Sequence, residues 1–181
     1  MKIFRLPLRL IIGGLFVGHG TQKLFGLFGG HGLGATAQGF EQMGFRPGKP
    51  YAVAAGVSVA GGGALLAAGF MTPLGAASIV GSMLTAIHRV HLKNGPWVTQ
   101  GGYEYNLVLI LAVVALVEAG PGPLSVDAIT GHERKGILWA LASLVAGALG
   151  ATATHFIAAF TAPEPTPEPE PEPAPEPAPQ A

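Results

Sequence analysis

Five apolar stretches, each close to the length of a membrane span, fill most of the chain and leave few folds open to it. They run roughly over residues 8–28, 51–70, 74–91, 105–119 and 136–160. A helix crosses the hydrocarbon layer with about 20 mostly apolar residues. The fourth stretch is shorter, and Tyr103 and Tyr105 extend it by sitting at headgroup level. Short alternating strands are absent, which excludes an outer-membrane barrel. The expected fold is therefore all-α: a polytopic membrane bundle of four core transmembrane helices, a fifth C-terminal helix, and a disordered tail rich in Pro and Glu.

Charge supports that reading once the tail is set aside. The chain has ten Lys and Arg against ten Asp and Glu, but Glu164, Glu168, Glu170, Glu172 and Glu176 lie in the tail. The remainder is thus basic, which suits anionic headgroups. No basic run with interleaved aromatics occurs, so a nucleic-acid partner is not expected. Cysteine is absent, which excludes thiol relays, thiolate-held iron–sulfur clusters and disulfides. Any redox role needs a bound carrier, a non-thiolate metal or a partner subunit.

The basic start, with Lys2, Arg5 and Arg9, resembles a signal-peptide flank, but no small-x-small cleavage site follows the apolar core. An uncleaved first helix is expected. Stretches two and three are joined by Met71, Thr72 and Pro73, a tight hairpin in which Thr72 is a candidate cap and Pro73 suits a first helical turn. The long connections 29–50 and 93–102 then share one face. Positive residues divide evenly between the faces, so orientation rests on the densely basic first flank, which points to an N-terminus inside.

Polar groups gather near the face of the long connections. His19, Gln22 and Lys23 share one arc of the first helix, and His88 and His91 lie three apart on the third. Glu104 and Asn106 open the fourth. Counting along the helices sets His19 about 16 Å and His88 about 21 Å from the N-terminal face. Ionisable groups at such depth are costly and normally paired, so they mark a candidate site. Three readings are open: a hydrogen-bond network fixing helix register, a pocket for quinone or another small molecule, and a metal held by His88, His91 and a third ligand. No His-Glu-x-x-His pattern supports the metal, and none is expected. Connection 29–50 carries Phe40, Met43 and Phe45, the apolar side of a short interfacial helix that suits a lid. The many glycines of the first two helices predict close backbone packing.

The stretches Gly18-His19-Gly20-Thr21-Gln22-Lys23-Leu24-Phe25-Gly26, Phe40-Glu41, Gly69-Phe70-Met71-Thr72-Pro73, His88 with His91 and Gly95, Gly101-Gly102-Tyr103-Glu104-Tyr105-Asn106, and Gly120-Pro121-Gly122 with Ser125 and Asp127 occur in an order that resembles the DoxX family of small bacterial membrane proteins. The resemblance covers about residues 5–130 and implies a four-helix domain over 1–130; an added helix over 131–162 and the tail over 163–181 go beyond that pattern. It implies the bacterial cytoplasmic membrane and an association with respiratory, sulfur-compound or thiol oxidation. Relatives often carry a buried Glu in the second helix, where this chain has Val59. The expected function is a membrane subunit of a quinone-linked oxidoreductase system, with His19, Gln22, Lys23, His88, His91, Glu104 and Asn106 around a ligand. The alternative is a non-enzymatic scaffold or assembly factor. Lipid and either a protein partner or a second copy are the expected contacts.

Overall fold

The computed structural model describes residues 3–161, and within them the chain is helical with no strand. The helices are α1 (Arg5–Phe25), α2 (Gly32–Gln42), α3 (Gly48–Ala68), α4 (Thr72–Ala86), α5 (Glu104–Ala119), α6 (Val126–Ile129) and α7 (Ile137–Thr161). Five of these match the five apolar stretches, and α2 is the short helix expected in the first long connection. The tail expected over 163–181 lies outside the described residues.

Local chemistry sets the boundaries. α1 stops at Phe25, short of the apolar run, because Gly26 turns left-handed at φ 72° and its N–H bonds Gln22 O. Gly69 ends α3 in the same way at φ 62°. Glu41 Oε1 accepts from Gly48 N at 3.0 Å, placing a carboxylate on the exposed donors that open α3. α4 does not end at Ala86. Its backbone widens into a π turn over Ile87–His91 and closes with a 3₁₀ turn over Leu92–Asn94.

α3 is the central helix, packed against α1, α2 and α4; α4 in turn carries α5 and α7. A helix with neighbours on several sides needs small residues on each, and three consecutive glycines supply them. Successive positions rotate about 100°, so Gly63 meets α1, Gly62 meets α4 and Gly61 faces open space. A Cβ on Gly63 would lie 2.6 Å from Gly13 O, and one on Gly62 would lie 2.8 Å from Ser78 Cβ. On the other side of α4, Gly147 of α7 sits so close that a Cβ would meet Val80 Cγ1 at 2.6 Å. The buried stripe of α7 is Ala140, Ser143, Gly147, Ala151 and Ala158, whereas its exposed side carries Leu138, Leu141, Val145, Leu149, Phe156, Ile157 and Phe160. Small residues inside and large apolar ones outside invert the pattern of a water-soluble helix and suit contact with lipid. α3 and α7 are each long and apolar enough to cross a membrane.

The N-terminal face is locked by two groups that act at long range. Arg9 is buried, and its guanidinium donates to Ala67 O (2.9 Å), Pro121 O (2.5 Å) and Leu124 O (2.6 Å). Asp127, also buried, accepts from Met71 N (2.9 Å), Thr72 N (3.1 Å) and Thr72 Oγ1 (2.9 Å). The cap of α4 is therefore Asp127, from the connection after α5, and not the Thr72 hydroxyl, which is itself a donor to it.

Candidate functional site

α3 and α7 both lean on α4, and between them runs a cavity of about 610 Å³. Its walls are mostly apolar and small: Ala54, Ala55 and Val59 from α3, Ala77 and Gly81 from α4, Ala146, Gly147 and Gly150 from α7. Ser58, Ser78, Ser82 and Thr154 add hydroxyls, but Ser82 and Thr154 donate theirs to Ser78 O and Gly150 O of their own helices. From Leu74 to Val90 along α4 the crevice extends roughly 24 Å at about 1.5 Å per residue.

Its charged groups are Lys23 of α1 and Arg89 of the π turn, both near the same face, and no Asp or Glu lines it. Arg89 is held from three sides. Nε donates to His155 Nδ1 at 3.0 Å, Nη1 donates to Met43 O at 3.2 Å, and Cζ stands 4.6 Å over the Phe45 ring. Phe45 is fully buried, with Phe40, Tyr51 and His155 at ring-centroid distances of 5.5, 5.1 and 5.6 Å. Tyr51 Oη lies 3.0 Å from Thr161 Oγ1, joining the start of α3 to the end of α7. α2 thus covers the cavity through Phe40, Met43 and the Phe45 that follows it. Because His155 Nδ1 accepts from Arg89, its proton sits on Nε2, which is buried without a partner. Lys23 Nζ makes no side-chain bond among the described residues.

The seven residues singled out in the sequence occupy separate places. Lys23 lines the cavity. His88 is exposed and packs edge-on against His155 at 4.6 Å, beside Arg89. His19 Nδ1 lies 3.0 Å from Gln22 Oε1, and Gln22 Nε2 donates to Phe28 O at 3.1 Å, bracing the turn after α1. His91 Nδ1 lies 2.7 Å from Gly101 O, and Glu104 Oε1 accepts from Val98 N at 2.8 Å, so both shape the connection before α5. Asn106 is buried, donating to Met83 Sδ at 3.3 Å. His88 and His91 diverge because the π turn breaks the helical spacing that would align them. No group of three or more metal-ligating side chains occurs among the described residues.

Arg89, Tyr51 and His155 are the cavity-end residues that reasoning on the sequence did not select, whereas Phe45 was read there as part of the apolar side of a lid. A lone His within the apolar stretch that forms α7 was the available signal, since an ionisable group in such a stretch needs a partner.

The DoxX family model matches residues 4–92, which span α1 to the end of the π turn and include Lys23, Phe45 and Arg89. No curated protein and no solved structure matches the chain. The wall that α7 contributes lies beyond the matched segment.

Proposed function

Since the chain belongs to the DoxX family, a membrane family, we propose that it is a multi-pass subunit of the bacterial cytoplasmic membrane that binds a quinone-type carrier for a partner oxidoreductase. The supporting observation is the cavity itself: apolar small-residue walls, with Lys23 and Arg89 at one end. Its volume of about 610 Å³ falls within the roughly 300–1,000 Å³ usual for small-molecule sites. Lys23 and Arg89 are donors without acceptor capacity, which suits quinone carbonyls. With no cysteine in the chain, electrons would pass between the bound carrier and the partner. His88 and His155 flank Arg89 and serve this site by holding its position; His19, Gln22, His91, Glu104 and Asn106 set the turns and helix contacts around it.

The test is to purify the full chain in native lipid, extract it and quantify quinone. About one quinone per chain is expected for the wild type, falling sharply in Ser58→Phe, which fills the crevice. A wild type that carries no quinone contradicts the proposal. A second reading, a scaffold without ligand, is favoured by the extensive helix-to-turn bracing; it predicts an empty wild type and Ser58→Phe folding and assembling as before.

A further inference from the structure

The cavity is oversupplied with positive charge and donors. Lys23 and Arg89 line it, no carboxylate does, and the sole ion pair among the described residues is Lys135 with Glu133 at the other face. Beside Arg89, His155 Nε2 is a further buried donor with no acceptor. Glu41, the acidic residue of nearby α2, already serves Gly48 N. Two cations taken from water with nothing to balance them destabilise an empty site, and the penalty is relieved when a bound group brings negative charge. The rest of the lining is apolar, so the body of that group is apolar too.

We infer that the cavity selects an anionic head on an apolar body. Resting on the quinone reading, this names the preferred class within it: acidic, ring-hydroxylated quinones in their ionised form, held through the charged oxygen by Lys23 and Arg89. A carboxylate on an alkyl chain shares the same chemistry and is distinguished below. Lys23 is the cleaner handle, because its ammonium makes no protein hydrogen bond among the described residues, whereas Arg89 also holds Met43, Phe45 and His155.

The experiment measures binding of three probes to the full chain in lipid discs at neutral pH. One is a hydroxynaphthoquinone with a short alkyl chain, whose enolic hydroxyl is ionised as a vinylogous carboxylic acid. The second is the same alkylnaphthoquinone without the hydroxyl, and the third a fatty acid of matching length. The ionised quinone is expected to bind at least about tenfold more tightly than the neutral one. Lys23→Gln should remove that difference and Lys23→Arg retain it, with neither variant melting below the wild type. Equal affinity for charged and neutral quinones, unaltered by Lys23→Gln, overturns the inference and leaves the quinone reading standing. Binding of the fatty acid with no quinone bound at all supports charge selection and removes the quinone reading. Failure of all three probes to bind removes both.

Discussion

Single atoms decide the packing here. A Cβ on Gly13 would lie 2.5 Å from Gly63 O, whereas a Cβ on the adjacent Gly14 meets nothing within 4 Å. Gly13→Val should therefore destabilise the folded protein by about 1–3 kcal/mol or more through forced separation of α1 and α3. Gly14→Val should change it by less than about 0.5 kcal/mol; thermal melts in one lipid background compare them. On the N-terminal face, Asp127→Ala strands the Met71 and Thr72 amides and the Thr72 hydroxyl together. At about 1–3 kcal/mol for a buried polar group left unpaired, it should be among the most damaging single changes, read as loss of folded yield and a lowered melt. The sequence made glycine-mediated packing legible but not which glycine packs, since neighbours such as Gly13 and Gly14 have the same composition signal and differ only in facing. Arg9 reads as a basic membrane flank, yet it is buried, because its three carbonyl acceptors come from residues 58 to 115 positions away.

Elements were legible to the extent that their signal is local. Hydropathy finds α1, α3, α4, α5 and α7, and the apolar spacing of Phe40 and Met43 finds the short helix of the first connection. The π turn has no such signal: no proline or glycine lies within Ile87–His91, and its register follows from how α4 fits α7 and the Arg89 contacts. That one irregularity separates His88 from His91 and sets Arg89 against the cavity, so residues that the sequence groups near one face take partners that diverge. Phe45 ties the roof to this end. Phe45→Ala should cost about 3–5 kcal/mol, as expected for deleting a buried aromatic ring, and should expose α2 amides to hydrogen exchange before those of α3. Protection of α2 unchanged from the wild type would show that Phe45 does not hold it.

For the molecule as a whole, the antiparallel order of five long helices sets Ile3 and the end of α7 on opposite faces, with Gly48 and Thr161 together, as the Tyr51–Thr161 contact requires. Topology reporters inserted at Gly48 and after Thr161 should report one side of the membrane, and a reporter at Thr130 the other; any other pattern contradicts a five-span arrangement. The large apolar residues that α1, α5 and α7 turn outward make lipid the natural surround. The most direct measurement is a structure of the full chain grown from a lipid mesophase. Elongated density between α3, α4 and α7, ending within hydrogen-bond distance of Lys23 and Arg89, is the expected result. A crevice closed by contact of α3 with α7, or one in which both cations turn away to solvent or to a carboxylate, would contradict it.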